Sequence, residues 1–80
     1  MVNINLRDLR VGEQGKVTGF QSGDRIYRKK LLAMGLTRGT TFQITRYAPM
    51  GDPVEIKLRG FALTLRKKEA DALLIEKVEA

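Results

Sequence analysis

Cysteine, histidine and tryptophan are all absent from this sequence, and the first two absences close off whole classes of function. Without cysteine there are neither disulfides nor thiolate metal sites. Without histidine as well, soft and borderline metals have lost their two best ligand types. The Ser–His and Cys–His nucleophile arrangements are excluded for the same reason. The nine Asp and Glu residues are scattered one at a time. The nearest acidic pair, Asp52 and Glu55, flanks a turn at the head of a strand and reads as a solvated hairpin mouth. No Gly-rich run ends in Lys-Ser or Lys-Thr, so the chain carries no P-loop for GTP. The expectation is a protein that is not an enzyme, with no cofactor and no tight metal site.

Long hydrophobic runs are missing too. No stretch approaches the roughly 18 apolar residues that span a bilayer. Met1 is followed by Val2-Asn3-Ile4-Asn5-Leu6-Arg7-Asp8, which has no cationic start joined to an apolar run and so does not read as a signal peptide. Cytoplasm is the expected compartment, with recruitment to the inner face of the membrane by a partner.

What is present is an ordinary globular composition, 42% apolar and 30% charged over 80 residues. That is enough for one domain, residues 1–80, and for one core. A domain this short buries only about 60–65% of its unfolded surface, which leaves little room for an enclosed catalytic cavity. Fifteen Lys and Arg against nine Asp and Glu give a net charge of +6, a balance that suits nucleic acid, an anionic membrane surface or an acidic protein partner.

No low-complexity tract, repeat or linker interrupts the chain. Leu6, Leu9 and Val11 are spaced to lay one apolar edge on the core. Residues 16–21 read as a first strand containing Val17 and Phe20. Ser22-Gly23-Asp24 breaks it, and Asp24 is suited to N-cap a helix. From Arg25 to Met34 there is no Gly, Pro or Asn; Gly35 follows at the usual left-handed C-terminal position, and Leu36 can fold back on the last turn. Tyr27, Leu31 and Met34 share one helical face, while Arg25, Arg28 and Lys29 lie on the other side with Leu32 among them.

After Gly39 the period changes from 3.6 to 2. Phe42 and Ile44 alternate with polar neighbours. Residues 48–53 form a turn-rich connection. Val54, Ile56 and Leu58 then alternate with charges, Gly60 turns the chain, and Phe61, Leu63 and Leu65 continue the inner face. Residues 66–73 suit a turn or two of helix, and residues 74–79 a last strand. The expected core is therefore Val17, Phe42, Ile44, Val54, Ile56, Leu58, Phe61, Leu63 and Leu65. Five short antiparallel strands, each apolar on one face, hide that face by curling on themselves. The fold class is mainly β: a small five-stranded SH3-like barrel with one helix after the first strand and a short helical turn before the last. A five-stranded OB-type barrel is the alternative, and the position of the helix favours the SH3-like choice.

Three segments then resemble one family. Residues 27–40, Tyr-Arg-Lys-Lys-Leu-Leu-Ala-Met-Gly-Leu-Thr-Arg-Gly-Thr, resemble the helix-and-turn signature of FeoA, the small cytosolic component of bacterial Fe2+ uptake. Residues 48–56, with Gly51-Asp52-Pro53, are similar to the family's hairpin, and residues 61–70 to its third segment. The three together cover most of the chain in the right order. The resemblance implies an SH3-like fold and a role beside FeoB, a membrane transporter whose cytosolic part carries a GTP-binding domain. FeoA-like domains also occur behind DNA-binding regions in iron-dependent repressors, but 80 residues leave no room for a helix-turn-helix, so a free-standing component is expected.

The candidate partner-binding residues are Arg25, Arg28, Lys29 and Leu32 on the helix, with Tyr47 and Met50 near the tip of the following loop. Each has a plainer reading: the helix cations as a solvated face, Leu32 as core edge, Tyr47 and Met50 as a small cluster under the loop. Two rival functions are weighed against protein binding. Lys57, Arg59, Arg66, Lys67 and Lys68 could follow a phosphate backbone, but Phe42 and Phe61 fall on the inward alternation, so few aromatics are left to stack bases. An iron carrier would need clustered carboxylates, and none are clustered.

Overall fold

The computed structural model describes residues 4–23 and 25–78. Its strands are β1 (Gln14–Phe20), β2 (Thr41–Tyr47), β3 (Val54–Leu58), β4 (Phe61–Leu65) and β5 (Leu73–Val78); its helices are α1 (Arg25–Ala33), between β1 and β2, and α2 (Lys67–Asp71), between β4 and β5. All pairings are antiparallel, in the order β4-β3-β2-β1-β5. β1, β2 and β3 each pair with two neighbours, and the β1–β5 and β2–β3 ladders each shift register once, at Val17/Gly19 and Ile44/Arg46. Such irregularities increase local twist and help the sheet curl around its apolar face. A single turn of 3-10 helix, Leu6–Asp8, precedes β1 and delivers buried Leu6 and Leu9 to the core.

The alternation read from the sequence buries Val17, Phe42, Ile44, Val54, Ile56, Leu58 and Leu65. Leu63 packs at the core's edge. Two expected inward residues are not buried. Phe61 is 47% exposed: it stands at the start of the edge strand β4, beside the turn after α1, where a Cβ on Gly35 would lie 4.0 Å from its ring. Val11 is exposed: the chain turns through Gly12 at φ +93° and carries Val11 off the line set by Leu6 and Leu9.

Helix α1 ends as its sequence requires. The Leu36 N–H donates to the Leu31 carbonyl and the Gly35 N–H to the Leu32 carbonyl, both at 3.0 Å, with Gly35 at φ +94° and Leu36 buried. This is a complete Schellman ending. Tyr27, Leu31 and Met34 pack on the core, Leu31 without exposure. The cap expected of Asp24 lies outside the described residues.

Candidate partner interface

The solvent face of α1 is built by exclusion. Once Tyr27, Leu31 and Met34 point to the core, a rotation of about 100° per residue leaves Arg28, Leu32, Arg25, Lys29 and Ile26 on the outer half. Leu32 is 40% exposed and Ile26 is 82% exposed. Arg25 and Lys29 lie between them and are exposed. The four predicted helix residues thus do share one surface. Ile26 joins them, since the helical wheel places it outside the apolar stripe.

Arg28 differs from its neighbours. Its guanidinium sits 5.6 Å from the centroid of the Phe20 ring, at the end of β1. A cation over an aromatic face at an exposed site is worth about 0.5–1 kcal/mol, so Arg28 ties α1 to the sheet. The two loop candidates separate. Tyr47 is half-buried against the core, and its hydroxyl donates to the Leu9 carbonyl; burial pushes the phenol up from its ordinary value. Met50, 90% exposed, stands at the loop tip.

A feature that charge patterning did not reveal lies between α1 and α2. A cavity of about 400 Å³ is lined by Tyr27, Lys30 and Asp52 together with Arg66–Glu69. Glu69 is only 4% exposed. One of its carboxylate oxygens accepts the Arg66 N–H at 2.9 Å, and the other is 2.5 Å from the Lys30 Nζ. Burial pushes this carboxyl up, but the Lys30 ammonium and the Arg66 N–H outweigh burial and hold it below the usual carboxylate value. The Arg66-x-x-Glu69 spacing is that of a helix start, which is the signal that could have found it. Asp52 accepts the Lys67 N–H at 2.8 Å, fixing the β2–β3 loop to the same helix start. The second basic group, Lys57, Arg59, Arg66, Lys67 and Lys68, is exposed throughout. Among the described residues no three His, Cys, Asp or Glu side chains converge to hold a metal ion. No helix among the described residues is long and apolar enough to cross a membrane.

A family model described as the FeoA domain matches residues 4–77. The chain belongs to the FeoA family. Among solved structures it is similar to a FeoA-like protein from Clostridium acetobutylicum, with a TM-score of 0.89 and 38% identity over 100% of this chain and 92% of that one. It also superposes on a zinc-complexed FeoA from Stenotrophomonas maltophilia described as a prokaryotic SH3 domain protein, with a TM-score of 0.77, 18% identity, and 91% and 89% of the two chains covered. At that identity the likeness concerns the fold alone, and the fold is SH3-like. A curated relative, the Fe(2+) transport protein A/Fe(2+) transporter FeoB fusion protein of Porphyromonas gingivalis, is 27% identical over 77 residues, 96% of this chain. This chain spans only 9% of that fusion's length. The FeoA family is thus associated with Fe2+ transport, and in this relative its domain shares one polypeptide with FeoB.

Proposed function

We propose that this chain is a non-catalytic accessory protein of bacterial ferrous-iron uptake that binds the cytosolic, GTP-binding part of a FeoB transporter through the solvent face of α1. The observation that carries the reading is the fused relative, in which a domain matching nearly this whole chain belongs to the same polypeptide as FeoB. Fusion holds two modules at high effective concentration, and a free-standing copy reaches the same encounter by affinity. The face of α1 has the composition this needs. Leu32 and Ile26 are apolar and exposed, and each can fill a desolvated pocket. Arg25 and Lys29 lie between them and steer an acidic partner. Arg28 holds the helix against Phe20 and so orients that face.

Two substitutions test it against co-purification with FeoB and iron-dependent growth. Leu32→Gln keeps the thermal midpoint within a few degrees, since surface changes are usually worth within about 0.5 kcal/mol, yet abolishes both readouts. Leu31→Gln loses fold and function together, because a buried amide without partners costs about 1–3 kcal/mol. Arg25→Glu combined with Lys29→Glu slows association and flattens its salt dependence while the fold survives. Retention of both readouts by an Ile26→Gln, Leu32→Gln double variant places the contact elsewhere.

A further inference from the structure

The two end strands of the sheet differ in how their outer edges are treated. β5 carries Glu76 and Lys77 and is bridged from outside by Ile4, whose N–H donates to the Ile75 carbonyl at 2.7 Å. β4, Phe-Ala-Leu-Thr-Leu, has no charge and no proline, and its ladder with β3 runs from Val54↔Leu65 to Leu58↔Phe61 without a register shift. Charges, prolines, bulges and covering segments are the usual means of blunting an edge strand; β5 has two of them and β4 has none.

The β3–β4 turn fixes which backbone groups are free. Arg59 and Gly60 join the strands with φ of 39° and 92°, the signature of a two-residue type I′ hairpin. In such a hairpin the closing pair, Leu58↔Phe61, exchanges hydrogen bonds, and the pattern then alternates. Phe61, Leu63 and Leu65 therefore bond to β3, while the N–H and C=O groups of Ala62 and Thr64 point away from the sheet. No backbone group among the described residues outside the sheet meets them. Both residues are exposed, as is Phe61 on the inner face.

The ends of the strand define the occupant. Arg59 precedes β4; Arg66, Lys67 and Lys68 follow it, and all four are exposed. Asp52 accepts the Lys67 backbone N–H, and Glu69 is held by Lys30 and the Arg66 N–H, so these two acids are already engaged. An apolar edge bracketed by cations repels a second copy of a chain whose net charge is +6. It matches an extended segment that is apolar in the middle and acidic at both ends.

We propose that β4 is a β-augmentation site that takes such a segment from a partner protein as a sixth strand. Main-chain bonds to Ala62 and Thr64 supply the pairing, the half-exposed Phe61 ring is covered by the incoming strand, and the flanking cations select its acidic ends. This site is separate from the solvent face of α1 and stands or falls independently of it.

The probe is the synthetic peptide acetyl-Glu-Glu-Val-Thr-Val-Thr-Val-Glu-Glu-amide, followed by amide NMR of the full chain and, with fluorescein in place of the acetyl group, by fluorescence anisotropy. The expected result is saturable binding with amide shifts centred on residues 61–65 and slowed exchange at Ala62 and Thr64. Binding falls at least tenfold when alternate amide nitrogens of the peptide are methylated, and also when its glutamates are replaced by lysines. Thr64→Pro removes an outward N–H that the free sheet does not use; it keeps the melting curve and loses the peptide. Leu32→Gln binds the peptide as the parent chain does, which separates this site from the helix reading. Equal binding of the methylated peptide, shifts centred outside β4, no binding, or self-association through β4 in place of binding overturns the proposal.

Discussion

Lys30 and Glu69 join the two helices across the cavity, with the ammonium 2.5 Å from a carboxylate that is almost fully buried. The carboxyl is held below its ordinary value, so the sign of its effect on stability follows. The folded state favours the charged form. The stabilisation is complete above the unfolded-chain value of about 4.3 and is lost as pH falls through the lower, folded value. Glu69→Gln keeps a helix-start side chain at residue 69 but removes the charge. Denaturant titrations at several pH values are expected to show the parent more stable near pH 7 by about 1.5–3 kcal/mol, the usual range for bonds to charged groups. The gap should close as pH falls below the usual carboxylate range. A gap independent of pH contradicts the assignment.

Gly15 is set by contact, not by backbone angle. A Cβ there would meet Phe42 Cζ at 2.7 Å and Leu9 Cδ1 at 2.9 Å, and both residues are buried. Overpacking of this kind costs about 1–3 kcal/mol, and in a domain of this size each kcal/mol moves the midpoint by about 4–8 °C. Gly15→Ala is expected to melt well below the parent. Adding Phe42→Leu, which shortens the opposing side chain, should recover part of the loss. A scanning melt of the parent and the two variants checks both statements.

Arg59 works in the other direction. It is the non-glycine residue at positive φ among those described, in a turn whose first position favours Asn. Arg59→Asn is expected to raise stability by roughly 0.5–1 kcal/mol, part of the roughly 1–2 kcal/mol that holding a side chain in the left-handed region costs. Chemical denaturation should show a higher midpoint with an unchanged slope. The same substitution removes one of the cations bracketing β4, so it should weaken the acidic peptide while strengthening the fold.

Ile56 is fully buried at the middle of β3, opposite Ile44 on one side and Leu63 on the other. Ile56→Ala is expected to cost about 2–5 kcal/mol. That is most of the stability of a domain this small, and loss of dispersed amide signals at 37 °C would report it.

Helix α1, its glycine ending and the strands were legible because period and punctuation are local properties: Leu58-Arg59-Gly60-Phe61 announces a hairpin, and Tyr27, Leu31 and Met34 announce a face. Phe61 misled because alternation tells which side of a strand a residue faces, not whether anything covers that side. Val11 misled for a related reason, since a turn at Gly12 changes direction after the spacing has been counted. The Arg66-x-x-Glu69 spacing could mark Glu69 as a helix-start residue, but nothing in the sequence pairs it with Lys30. The contact joins residues distant in sequence, and Lys30 alone reads as an ordinary surface charge. At the candidate interface, the outward position of Leu32 followed from geometry, whereas the stacking of Arg28 on Phe20 depended on how α1 docks against β1.

The bridge between Ile4 and Ile75 has a consequence for how the domain can be worn by other proteins. The described chain begins at Ile4, bridged to Ile75 within the last strand, so a polypeptide that enters the fold leaves it on the same side of the sheet. A unit of this shape behaves like a pendant on a necklace. It can be hung from either end of a longer chain, or set into one of its surface loops, without spreading the attachment points or disturbing either fold. The edge of β4 and the outer face of α1 take no part in that attachment and stay available for whatever lies beside it.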